Sequence, residues 1–147
     1  QTVGETKTNP SSEIRMHTFV YQHRPDVQAV IHAHPPYAVA LSVAGISLEA
    51  VVLPEVVLAL GAIVDCGYAT PTTEKVVHAM KQPVQAGRNA LILARHGSVT
   101  LGKTMQEAFC RLEILEHVAK VTAIARSVDK VTPLHRKEID QLKKLIP

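Results

Sequence analysis

The chain has 147 residues, a formal net charge of +3 and 46% hydrophobic residues, enough apolar matter for one compact domain with a real core. Aromatic residues make up only 3%, and a charge spread along the chain without bases' stacking platforms excludes nucleic acid as a partner. The longest apolar stretch, 51–63, is interrupted by Pro54, Glu55 and Gly61, which excludes a membrane span.

Only two cysteines occur, Cys66 and Cys110, with no CxxC pair, and no secretory leader is expected. Both are expected to be small core residues in a reducing cytoplasm. The first residue is not Met and 1–9 is polar, so the chain is expected to be a piece of something longer. Residues 1–147 read as a single domain.

Ser11 and Ser12 precede Glu13 and the apolar residues Ile14, Met16, Phe19 and Val20, which predicts an N-capped helix ending at His23-Arg24-Pro25, with Glu13 in its first turn. The apolar run 27–32 predicts a strand buried on both faces. Pro35 and Pro36 end it and open a helix over 37–43, since proline is tolerated in a first turn. Residues 50–53 and 62–66 read as two short strands separated by a helical turn at 54–61. Thr70 and Pro71 are expected to open a helix that runs through Met80 and closes in the 83–87 loop. Segment 90–95 reads as a strand, and 98–101 as its hairpin partner after the His96-Gly97 turn. Thr104-Met105-Gln106-Glu107 has the form of a capping box opening a long helix to Ser127. A short amphipathic helix is expected within 133–146.

Residues two apart on an extended segment project to the same side, so His32 and His34 can grip one ion. A third imidazole, His96, stands at the end of another predicted strand, before a glycine that lets the backbone turn close to that ion. Three imidazoles leave a metal position open, as catalysis requires. Each piece also has an ordinary reading: a hydrogen-bonded core histidine, a carboxylate favoured by a helix N-terminus at Glu13, and simple caps at Ser11 and Ser12. Of the other histidines, His17 reads as a surface or packing residue, and His23, His78, His117 and His135 as solvated helix positions. Tyr37, Tyr68 and Glu55 read as structural.

Pro10-Ser11-Ser12-Glu13, His32-Ala33-His34, Tyr68-Ala69-Thr70 and Arg95-His96-Gly97 occur in that order. The set resembles the class II aldolase and adducin family, most closely its members that cleave fuculose 1-phosphate, over nearly the whole chain from Asn9 to about Pro133. The resemblance implies a three-layer α/β/α fold with a mostly antiparallel central sheet. It implies a metal-dependent aldehyde-lyase that splits a phosphorylated ketose into dihydroxyacetone phosphate and a short aldehyde. Zinc would be held by His32, His34 and His96, with Mn2+ or Co2+ as substitutes. Glu13 would exchange protons with the enediolate carbon, while the cation stabilises charge on the enediolate oxygens. Ser11 and Ser12 would hold the substrate phosphate, chemistry that suits hydroxyls and free amides at a helix N-terminus. It also implies a homo-oligomer, a cyclic tetramer with sites at subunit interfaces.

Three departures stand out. The family's N-terminal section, with a Gly-Asn phosphate loop and a Thr-Gly pair, has no counterpart before Gln1. The position of its tyrosine proton donor falls in Val51-Val52-Leu53-Pro54-Glu55, where Glu55 is the substitute candidate. The aromatic C-terminal tail is absent from 133–147. The alternatives within the fold are a sugar-phosphate 4-epimerase and a ketose-phosphate dehydratase, and outside catalysis an adducin-like interaction domain. A cupin oxygenase, which also uses His-x-His and a distant His, is disfavoured because no acid follows His34 over 35–44 and the long helix at Thr104 does not fit a barrel.

Overall fold

The computed structural model describes residues 10–146, so the polar opening at 1–9 lies outside the described residues. Four strands, β1 (Ala29–Ala33), β2 (Ile63–Asp65), β3 (Ala90–Leu93) and β4 (Gly97–Gly102), form one sheet in the order β1-β4-β3-β2. β4 runs antiparallel to both β1 and β3, and β2 runs parallel to β3. A parallel pair needs a crossover connection, and the helix α3 (Glu74–Gln85) lies in it. The sheet is therefore mixed and mostly antiparallel.

Alternation along β3 and β4 puts helices on both faces. Leu91, Leu93, Val99 and Leu101 join Met16, Phe19 and Val20 of α1 (Ile14–His23) and Val76, Met80 and Val84 of α3 in one core cluster. Ala90 and Ile92 enter a second cluster with Ala38 and Leu41 of α2 (Pro36–Val43) and Leu115, Val118 and Ala119 of α4 (Met105–Val128). Three layers result, as the family resemblance implies. Burial of each aliphatic side chain contributes about 1.5–3 kcal/mol, so the strand ends that carry the histidines project from a stiff scaffold.

The start of α4 follows its sequence signal. Thr104 Oγ1 accepts from the Glu107 amide at 3.1 Å, and Glu107 Oε2 accepts from the Lys103 amide at 2.6 Å. Thr100 Oγ1 of β4 donates to the Ala108 carbonyl at 2.9 Å, fastening α4 to the sheet. The tail forms α5 (Arg136–Lys143), with Glu138 Oε2 accepting from the His135 amide at 2.7 Å.

Three local expectations are corrected. Residues 50–53 form no strand: the Val51 carbonyl accepts instead from the Leu134 amide at 2.8 Å, and Val51, Val52 and Leu53 pack onto the second core cluster without a ladder partner. The helical turn expected over 54–61 does form, as a single π-helical turn, Val56–Leu60. α3 begins at Glu74 rather than near Thr70, because Thr72 has φ 66°, outside the helical region, and Thr73 supplies the N-cap, its hydroxyl accepting from the Lys75 amide at 3.3 Å. The apolar run 27–32 does not give a strand buried on both faces: β1 is an edge strand, buried only at Ala29 and Val30 and half-buried from Ile31 to Ala33.

Among the described residues, no helix is long and apolar enough to cross a membrane. Cys66 is half-buried, while Cys110 is exposed on α4 and is not a core residue.

Candidate metal centre

β1 ends at Ala33, so His32 is its penultimate residue and His34 the first residue beyond it. The β3–β4 turn places His96 directly before β4, whose Ser98 pairs with Ala33. Antiparallel pairing therefore brings the two segments together. The ring centroids of His32 and His34 lie 4.8 Å apart, those of His32 and His96 4.8 Å, and those of His34 and His96 5.2 Å. One nitrogen from each ring lies within 4.8 Å of the others, a group that can hold a metal ion.

Hydrogen bonding fixes which lone pair His32 offers. Its Nδ1 lies 2.9 Å from the Ser98 carbonyl oxygen, which can only accept, so Nδ1 carries the proton and the neutral ring keeps a free lone pair on Nε2. His32 Nε2 and His96 Nδ1 are both buried with no hydrogen-bond partner. Two orphaned ring nitrogens facing a third imidazole are what a cation would satisfy. Burial also pushes the pKa of His32 and of His96 below the ordinary imidazole value, so both rings are neutral, and able to ligate, at neutral pH.

Gly97 is the close approach that makes this packing possible. A Cβ there would collide with the Ala33 carbonyl oxygen and would lie 2.9 Å from His34 Cδ2 and 3.1 Å from His32 Cε1. The cradle between the histidines has no room for a side chain at 97.

Glu13 is the N-cap of α1 rather than part of its first turn. Its Oε1 accepts from the Thr72 amide at 3.0 Å, and its negative charge acts on His17, His32 and His96, in each case opposing the effect of burial. The carboxylate's charge thus reaches the histidine cluster while the side chain is tied to the loop before α3. Ser11 and Ser12 are exposed just upstream, where Ser11 Oγ accepts from the Glu13 amide at 3.2 Å. Tyr68 is 66% exposed and Tyr37 37%, so neither serves as core packing, and Glu55 is exposed ahead of the π-helical turn. His17 is half-buried, whereas His23, His78, His117 and His135 are exposed.

Two contributors to the site were not read from the sequence. Thr72 offers its backbone amide, which carries no side-chain signal. Ser42 of α2 accepts from the Arg95 amide at 2.9 Å, from 53 positions earlier in the chain.

The model of the Class II Aldolase and Adducin N-terminal domain matches residues 1–123. The chain belongs to this family. It is 37% identical over 124 residues to an L-fuculose phosphate aldolase of Methanococcus vannielii, covering 84% of this chain and 66% of that protein. It is 32% identical over 119 residues to the 3-oxo-tetronate 4-phosphate decarboxylase of Escherichia coli K12, covering 78% of this chain and 56% of that one. A solved structure titled L-fuculose 1-phosphate aldolase superposes with a TM-score of 0.85 at 30% identity, over 97% of this chain and 66% of its own. The chain thus spans somewhat under two thirds of the length of such relatives. The fold is the class II aldolase fold, a mixed sheet with helices on both sides. Class II aldolases use a divalent metal, and the His32, His34 and His96 group is chemically suited to one.

Proposed function

We propose that this chain carries the catalytic centre of a metal-dependent aldehyde-lyase that splits a phosphorylated ketose, of the fuculose 1-phosphate type, into dihydroxyacetone phosphate and a short aldehyde. The observation that carries the reading is the convergence of three imidazoles, two of them with orphaned buried nitrogens, within reach of the Glu13 charge. Similarity to L-fuculose phosphate aldolases supports the substrate class.

His32, His34 and His96 would hold the cation, with zinc the ion best matched to three neutral imidazoles and an open position. A bound divalent cation supplies positive charge where oxygen becomes negative as the carbon–carbon bond breaks. Glu13 performs the proton transfer at carbon. With Oε1 held by the Thr72 amide, its other oxygen is left to take a proton from the substrate carbon or return one, and the tether keeps that oxygen in register. Ser11, Ser12 and the N-terminus of α1 bind the phosphate through hydroxyls and free amides. The working enzyme would be a cytoplasmic homotetramer with its sites at subunit interfaces.

Similarity to a 3-oxo-tetronate 4-phosphate decarboxylase favours one second reading, loss of carbon dioxide from a phosphorylated 3-oxo acid at the same site. Both reactions leave a carbanion next to a carbonyl carbon, an enolate whose charge rests on oxygen, so the same residues serve either. The test supplies metal-replete protein, in its full natural length, with a panel of ketose 1-phosphates and phosphorylated 3-oxo acids. Dihydroxyacetone phosphate release from a ketose 1-phosphate is expected. Carbon dioxide release alone would favour the second reading, and no product from any substrate would sink both.

A further inference from the structure

Arg95 has φ 60°, a left-handed conformation that costs free energy for a residue with a Cβ. It stands directly before His96, so its backbone sets the direction in which the His96 ring leaves the β3–β4 turn. Strain of this kind persists only where neighbouring groups hold it in place.

Ser42 is the group that holds it. The Arg95 amide donates to Ser42 Oγ at 2.9 Å, and the Ser42 hydroxyl donates its own proton to the Val39 carbonyl at 2.8 Å. The hydroxyl is thereby oriented, with an oxygen lone pair turned to the Arg95 amide. α2, which carries Ser42, is itself fixed: the Tyr37 and Ala38 amides at its N-terminus donate to Glu116 Oε1 and Oε2 of α4 at 2.9 and 3.0 Å. α2 also begins two residues after His34. One short, anchored helix therefore follows one ligand-bearing segment and grips the turn that carries the other.

We propose that Ser42 is a positioning residue of the metal centre, holding Arg95 in the left-handed region and so setting His96 against His32 and His34. The inference rests on the reading of those three histidines as metal ligands. If strain at Arg95 is what Ser42 offsets, then glycine at 95, which adopts positive φ without penalty, makes the serine dispensable.

The test titrates metal-free protein with Co2+ and follows its visible d–d absorption in four forms: wild type, Ser42→Ala, Arg95→Gly and the double variant. Thermal melting and exchange of the Arg95 amide are measured on the same samples. Ser42→Ala is expected to weaken cobalt binding about 10- to 100-fold, to alter the absorption spectrum and to speed exchange of the Arg95 amide. Arg95→Gly is expected to bind like wild type, and the double variant to recover most of the lost affinity. A merely structural role would lower the melting temperature without moving the cobalt spectrum. Wild-type affinity and spectrum in Ser42→Ala would overturn the proposal, as would a double variant no tighter than Ser42→Ala. Should wild-type protein bind no cobalt, the metal reading itself fails. The exchange rate then decides whether Ser42 holds the turn, an unchanged rate in Ser42→Ala overturning that as well.

Discussion

His32 Nδ1 lies 2.9 Å from the carbonyl oxygen of Ser98, a residue whose own strand partner is Ala33. The ring therefore reaches diagonally across the β1–β4 ladder and is oriented by backbone, not by a side chain. The Ser98 hydroxyl meanwhile is fully buried with no partner. His32→Ala and Ser98→Ala should accordingly behave in opposite ways. The first should abolish stoichiometric metal in elemental analysis of purified protein. The second should leave metal content unchanged and raise stability by about 1–3 kcal/mol, because it removes an unsatisfied buried hydroxyl. Chemical denaturation checks the second half, and a destabilised Ser98→Ala would mean that the hydroxyl has a partner.

Metal affinity should depend on pH in one direction. Burial lowers the pKa of His32 and His96, so at those two rings protons compete with the cation only below the ordinary imidazole value of about 6.5. Affinity measured by competition with a chelator should fall as the pH drops below that value. The metal-free protein should respond with the same sign. The folded state protonates these rings at lower pH than the unfolded state does, so as pH drops through about 6.5 the unfolded chain binds protons first and stability declines.

Gly97 should be intolerant of even the smallest side chain. A Cβ collides with the Ala33 carbonyl oxygen and presses on both His32 and His34, and backbone gives way less readily than a flexible side chain. Gly97→Ala should cost about 1–3 kcal/mol of stability and lower metal affinity at least tenfold. Gly45 offers the control: a Cβ there meets nothing within 4 Å, although its φ is 69°. Gly45→Ala should therefore destabilise the fold without changing metal affinity, and equal metal loss in both variants would sever Gly97 from the site.

What the sequence made legible was whatever depends on neighbours in the chain. The cap at Thr104 and Glu107 and the hairpin of β3 and β4 are local patterns, and both form. His32 and His34 could be paired by strand alternation, but bringing His96 to them takes the β1–β4 pairing, which only the ordered motifs implied. Segment 50–53 has the β-branched content of a strand, yet a strand needs an available edge, and the Val51 carbonyl is taken by Leu134. The left-handed backbone at Thr72 and Arg95 left no trace in residue type, since neither is glycine or asparagine. The contacts that hold those two residues, from Glu13 and Ser42, span 59 and 53 positions.

The two cysteines should react very differently. Burial, reinforced by the charges of Asp65 and Glu49, pushes the Cys66 thiol up to about 12, while Cys110 is exposed on α4. A thiol reagent at pH 8 should modify Cys110 alone in folded protein and both residues in denaturant. The raised value also fixes a sign. Above pH 9.0 the unfolded thiol loses its proton and the folded one keeps it up to about 12, so stability should fall as pH rises through that window. Cys66→Ser or Cys66→Ala should flatten that alkaline decline, and an unchanged decline would assign it to other groups.

Arg24 should matter to folding and not to metal. Its side chain is 10% exposed at the end of α1, where it donates to Asp26 Oδ1 and Oδ2 at 2.8 and 2.7 Å, to Asn89 Oδ1 at 2.9 Å and to the Arg88 carbonyl at 3.2 Å. These bonds tie the end of α1 to the loop that leads into β3. They lie at the Gly102 end of β4, whereas the histidines gather at its Gly97 end. Arg24→Ala leaves the Asn89 and Arg88 acceptors without their donor and should cost about 2–4 kcal/mol. Asp26 is half-exposed, so Asp26→Asn should cost no more than about 1 kcal/mol despite breaking the same ion pair. Both variants, once folded, should bind cobalt as wild type does, because neither touches the turn before His96 nor the β1–β4 pairing beside it. Denaturation midpoints and cobalt titrations run in parallel separate the two effects, and weakened metal binding in folded Arg24→Ala would show that the two ends of β4 are coupled.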